Sequence, residues 1–179
     1  MSGLLSPAPY HILSYGTLLG TTFFHTFVGG IVSFQVLPRP QFSQLMAKIF
    51  PVYFSMQTAL PVVMALTFPS NAATLTPGGV AGLLDASNTW SGLVPIATMF
   101  ISGLANLAVI GPATTKCMRD RKSQEHKDGK KSYDPPPHSV EMQALNKKFS
   151  MLHGISSLLN LGSFIAALVY GVTLSSRLA

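Results

Sequence analysis

The five histidines, the single cysteine and three amides set well inside apolar runs are the residues of this chain with chemistry to offer. They are His11, His25, His126, His138, His153, Asn106, Asn160, Gln57 and Cys117. Imidazole is the commonest metal ligand, so a metal or haem site is the first chemistry to weigh. Spacing argues against it. His11 stands at the start of one apolar run and His153 at the start of another that is read as running the opposite way. A helix rising 1.5 Å per residue across the bilayer separates them by roughly 20 Å. His25 is expected near mid-depth, within reach of Asn106 and Asn160, and one imidazole with two amides is a poor ligand set for a transition metal. The histidines are read as structural, and no metal or other cofactor is expected.

Catalytic patterns are absent from the sequence as well. It has no G-x-x-x-x-G-K-[ST], H-E-x-x-H, C-x-x-C or G-x-S-x-G. Its serines lack a carboxylate-backed histidine to orient a triad. Gln57, Asn106 and Asn160 are costly in lipid unless they face protein. They are read either as interhelical hydrogen bonds or as the lining of a polar pathway. With no carboxylate or Lys inside any apolar run, a proton relay or voltage sensor is not expected. The candidate polar or ligand positions are therefore His11, His153, Asn106, Asn160 and Arg39, with no catalytic residue and no enzymatic activity expected.

The elements that must position these residues follow from charge segregation. Residues 1–38, 49–84, 86–115 and 149–176 contain no Lys, Arg, Asp or Glu, and charged residues make up only 10% of the chain, against about 25% in soluble domains. A span needs about 20 largely apolar residues, so each run supplies one. The fold class is all-α integral membrane, a single domain of four transmembrane helices over about 11–37, 50–68, 89–111 and 149–174. A short interfacial amphipathic helix is expected after the first span, where Phe42, Leu45, Met46 and Ile49 recur at helical spacing. Leu37-Pro38-Arg39-Pro40 breaks the chain before it. The start lacks a basic n-region and a cleavage site, so the first span serves as its own insertion signal.

Within the spans, Gly16 and Gly20 form a G-x-x-x-G that is expected to pack inside the bundle rather than form a dimer seam. With small residues on one face and polar ones on the other, the first span is expected to sit centrally. Pro61 should free the carbonyl of Gln57 and kink the second span. The third span is expected to fade near Gly111-Pro112, with residues 116–125 continuing as a charged helix outside the membrane. Residues 70–86 and 123–139 read as loops, the second one flexible.

Eleven of the twelve basic residues fall in the connections between spans one and two and between spans three and four, and Arg177 alone lies opposite. The positive-inside rule places both connections, including the loop at about 116–148, in the cytosol, and both termini outside it. The lipid bilayer is the expected partner. The basic loop can contact anionic headgroups, although Asp120, Glu125, Asp128 and Asp134 dilute its charge. Topology alone explains the high pI, and no nucleic-acid role is expected. The organelle and any protein partner are not legible.

Three blocks of residues resemble a known family. The first holds His11, Gly20, Thr26-Phe27-Val28, Gly30, Leu37-Pro38-Arg39, Phe42, Lys48, Phe50-Pro51 and Tyr53-Phe54. Asn106, Pro112 and Thr114-Thr115 make the second. The third runs through Ala144-Leu145, Phe149, His153-Gly154, Ser156-Ser157-Leu158 and Asn160-Leu161-Gly162. In order and spacing they are similar to the transmembrane protein 205-like family of small four-span proteins. His25 departs from it, standing where an aromatic residue is expected. The resemblance implies a multi-pass membrane protein and supplies no catalytic mechanism. A scaffold or trafficking-related role is the leading expectation. The alternative is a small-molecule or metal-ion transporter or a cofactor-binding bundle. All three blocks are expected to meet at the cytosolic face, beneath the Pro-Arg-Pro turn.

Overall fold

The computed structural model describes residues 6–70 and 77–178. Four helices are long and apolar enough to cross a membrane: α1 (Ala8–Val36), α2 (Arg39–Leu66), α4 (Ala86–Asp128) and α5, which continues to the end of the described chain (Val140–Leu178). A short helix, α3 (Gly79–Leu83), precedes α4. There is no strand among the described residues. Part of the expected loop at 70–86, residues 71–76, lies outside them.

The helices form a ring in which α1 packs on α2, α2 on α4, α4 on α5 and α5 on α1. The apolar core lies toward the end of the bundle that carries the termini. It includes Leu18, Met64, Phe68, Ile96, Met99, Ala167 and Leu174. Large apolar side chains such as Leu13, Ile101, Leu158, Leu168 and Val172 point outward instead. A soluble protein would hide such a band, whereas hydrocarbon accepts it because helices satisfy their own backbone.

Proline and glycine decide where these helices bend and where they touch. Leu37 and Pro38 are extended, with ψ near 140°; Arg39 and Pro40 already belong to the first turn of α2. The Arg39 guanidinium lies 3.8 Å from the Phe34 ring centroid, and Phe34 meets Phe42 edge-on at 5.3 Å, which pins the turn from both sides. The amphipathic turns after the break are helical and run without interruption into the second span. Pro51 does not divide them, because a proline removes one hydrogen bond without ending a helix held by tertiary packing.

The helix of the third span does not stop at Gly111-Pro112; α4 continues to Asp128 and takes in the charged stretch 116–125, expected to be helical outside the membrane. Each α4 proline, Pro95 and Pro112, follows a π-helical turn, Thr89–Leu93 and Asn106–Ile110. The wider turn relieves the clash between the proline ring and the carbonyl four residues back. Glycine is required at position 111, since a Cβ there would lie 2.7 Å from the Asn106 carbonyl oxygen.

Two expectations for α1 are corrected. Gly16 and Gly20 face outward, and a Cβ at either would meet nothing within 4 Å; the G-x-x-x-G is not a packing seam inside this bundle. Nor does α1 sit centrally, being the least covered of the four spans while α4 is the most. Its buried stripe is His11, Ser14, Leu18 and Thr22, so the polar side faces protein. The close approach falls at Gly103 instead. A Cβ there would lie 2.8 Å from the Gln57 carbonyl, the one that Pro61 deprives of its donor.

Candidate functional site

Buried polar side chains gather at two levels of the bundle and along a hairpin beyond it. At the end carrying the termini, His11 Nε2 lies 2.6 Å from the Tyr170 hydroxyl and Nδ1 lies 3.2 Å from Thr67 Oγ1. Thr67 donates its own proton to the Val63 carbonyl at 2.6 Å, so it accepts from Nδ1–H of His11. Nε2 is then the acceptor for the Tyr170 O–H, a tautomer assigned by the network. Beside it the Tyr15 hydroxyl donates to the Ala167 carbonyl at 3.2 Å, in a notch at Gly171 that any Cβ would fill. Arg177 closes this end. Its guanidinium donates to the Pro69 carbonyl and Asn88 Oδ1 and lies over the Phe68 ring.

At mid-depth each span contributes to a polar layer. Gln57 Nε2 donates to the Tyr53 hydroxyl at 2.7 Å and to Thr22 Oγ1 at 3.4 Å. Asn106 Nδ2 donates to Asn160 Oδ1 at 3.3 Å. Phe23 and Phe27 on α1 touch Phe164 on α5, which sets Thr22 and Ser163 at a common level. Among the described residues Gln57 Oε1, Asn106 Oδ1, Ser163 Oγ and His25 Nε2 are buried without a hydrogen-bond partner. The layer thus offers two amide acceptor oxygens and one hydroxyl able to donate or accept, where the dielectric is low.

The sequence-derived positions do not form one site. Asn106 and Asn160 come together, His11 belongs to the far end, and Arg39 sits over Phe34 at the turn. His153 is exposed on the outer face of α5, its ring parallel to Phe149 with centroids 6.0 Å apart. His25 does not meet the asparagines; it packs against Phe50 and Tyr53 at 5.0 and 4.6 Å, within a π-helical turn. Among the described residues no three His, Cys, Asp or Glu side chains are grouped to hold a metal ion. Tyr170, Thr67, Tyr15 and Arg177 escaped sequence reasoning. Their signal was the lone charge at Arg177 and the i, i+4 buried stripe of α1, which needed polar partners.

The basic connection departs most from expectation. Residues 123–139 are ordered, because polar side chains tie the two helices together. Arg121 Nε donates to Asn146 Oδ1 at 2.9 Å, and Asn146 Nδ2 to the Ser132 carbonyl. Glu125 accepts both the N–H and the O–H of Ser132. The Ser139 hydroxyl donates to Asp128 and accepts from the Met142 N–H, capping α5. Gly129, with φ 62°, ends α4 in the left-handed conformation that glycine tolerates. Met142 and Cys117 are buried between the two helices. Partial burial pushes the Glu125 carboxyl up, but the bonds from Ser132, with the charges of Lys131 and Arg121, outweigh it and hold it below its ordinary value.

Four apolar helices in a ring, polar contacts inside and aliphatic side chains outside define a multi-pass α-helical membrane protein. The chain matches a family described as Domain of unknown function (DUF4149) over residues 13–123. It belongs to that family. A relative, "Xanthocillin biosynthesis cluster protein D" of Aspergillus fumigatus, is 33% identical over 170 residues, covering 95% of this chain and 90% of the relative. No solved structure matches.

Proposed function

We propose that the protein is a non-enzymatic membrane scaffold, with trafficking-related roles included, that presents a rigid polar hairpin to the cytosol. The ordered hairpin carries this reading. Eighteen residues of α4 from Gly111 to Asp128 extend about 27 Å at 1.5 Å per residue, braced by the start of α5. Lys116, Arg119, Lys122, Lys127, Lys147 and Lys148 are exposed along it, so it can engage acidic protein surfaces or anionic headgroups. Positive-inside topology supports a cytosolic hairpin and non-cytosolic termini. The three sequence blocks support a transmembrane protein 205-like affiliation. The name of the fungal relative supports an accessory role at the membrane in small-molecule biosynthesis.

The alternative reading, a small-molecule or metal-ion transporter or a cofactor-binding bundle, is favoured by one observation: the three unpartnered oxygens at Gln57, Asn106 and Ser163. Purification in mild detergent followed by an absorption spectrum and metal analysis separates the two. Protein free of stoichiometric chromophore and metal is expected. One haem or metal per chain, lost on His11→Ala or His153→Ala, would overturn the scaffold reading.

A further inference from the structure

Ser87, Asn88 and Ser91 at the start of α4 face Thr173, Ser176 and Arg177 at the end of α5 across a recess of about 380 Å³. Arg177 is held from three directions. It donates to the Pro69 carbonyl at 3.2 Å, donates to Asn88 Oδ1, and rests 4.7 Å from the Phe68 centroid. None of these partners is an anion. Asp85, the nearest acidic side chain in sequence to the recess, does not line it and is engaged by the N–H and O–H of Ser87. The ion pair found among the described residues is Lys131 with Glu125, at the opposite end. Among the described residues this partly buried guanidinium has no counter-ion, which is unfavourable, and its planar fork suits phosphate oxygens.

The surroundings indicate where the phosphate would come from. Trp90, next in sequence to the recess residue Ser91, is 80% exposed, and tryptophan at a span end marks headgroup level. Val172 lines the recess and is itself 73% exposed. From it Val169, Leu168 and Ile165 continue at i−3, i−4 and i−7, all exposed. This is an apolar stripe on one face of α5, running from headgroup level into the hydrocarbon. A diacyl lipid would lay a chain along it with its phosphate in the recess.

We infer that the α4–α5 recess is a binding site for a membrane phospholipid, its phosphate held by Arg177 with the hydroxyls of Ser91 and Thr173. The site lies at the end opposite the hairpin and does not depend on the scaffold reading.

The test uses the full chain, stripped of lipid in detergent, with dioleoylphosphatidylcholine, dioleoylglycerol and inorganic phosphate as separate probes. The phospholipid raises the Tm, dioleoylglycerol and phosphate do not, and native mass spectrometry shows one retained phospholipid. Arg177→Gln weakens retention about tenfold or more, the loss expected for a charge-assisted hydrogen bond. Because Arg177 also braces the fold, Ser91→Ile is the second variant. It removes the Ser91 hydroxyl and crowds the recess with a branched apolar side chain, leaves the contacts of Arg177 in place, and abolishes the phospholipid shift while the lipid-free Tm stays within a few degrees of the parent. Equal stabilisation by dioleoylglycerol would show that the acyl chains alone bind. Equal stabilisation by inorganic phosphate would show a soluble-anion site. Either result, or an unchanged phospholipid shift in Ser91→Ile, overturns the inference.

Discussion

His11 and Tyr170 meet across the bundle, imidazole Nε2 to phenol Oη at 2.6 Å, joining residues 159 positions apart. Both are fully buried, so the contact clamps α1 to α5 where the apolar core is densest. Tyr170→Phe should leave Nε2 an unsatisfied acceptor and cost about 1–3 kcal/mol. His11→Ala with Tyr170→Phe should cost less than the two single changes summed, since they remove one shared bond. Thermal unfolding of the four proteins in one detergent measures the coupling; strict additivity would refute the clamp.

Glycines at two levels should behave oppositely. Gly103→Ala drives a Cβ into the Gln57 carbonyl and should cost about 1–3 kcal/mol by forcing α2 and α4 apart. Gly16→Ala and Gly20→Ala meet open space and should be neutral or stabilising by up to about 1 kcal/mol through helix propensity. Tm values of the three variants at low protein concentration check this. A larger loss at Gly16 than at Gly103 would mean that the packing seam is misplaced.

Fold class was readable because long charge-free runs have few physical solutions; hydrocarbon forces them into helices. Helix faces were less readable. Gly16 and Gly20 fit a packing motif, yet α1 turns its polar stripe inward because His11 and Thr22 need partners more than glycines need contact. The π-helical turn at Asn106, which lets the helix run through Gly111-Pro112, was not legible, because single-sequence periodicity does not reveal the inserted residue. Order in the hairpin depends on pairs such as Arg121–Asn146 and Glu125–Ser132, which local composition cannot supply. Asn106 and Asn160 were legible as amides that must face protein, but not as each other's partner; nor was Tyr170 legible as the partner of His11.

The hairpin should loosen in acid. Glu125 titrates below its ordinary value in the folded chain, so it contributes stability above the unfolded pKa, about 4.3 for glutamate. That contribution is lost as pH falls through the lower folded value. Hydrogen exchange of the Ser132 amide should accelerate in acid relative to a trend corrected for intrinsic exchange. Glu125→Gln should remove that excess; its persistence would assign it to another group.

Sidedness has its own check. An Asn-x-Ser/Thr acceptor inserted at residues 129–139 should remain unglycosylated in cells whose secretory pathway modifies a matching acceptor placed at the amino terminus. The reverse pattern would invert the topology.

The scaffold reading meets its most direct test in site-specific photo-crosslinking in cells. A crosslinker at Lys122 or His126 on the hairpin should give a discrete protein adduct. That adduct should disappear when residues 129–139 are replaced by a flexible Gly-Ser linker, while membrane insertion and bundle Tm persist. The same crosslinker at Ile101 or Leu158 should give lipid adducts alone. Absence of any hairpin adduct, or an adduct that survives the linker replacement unchanged, would contradict the account.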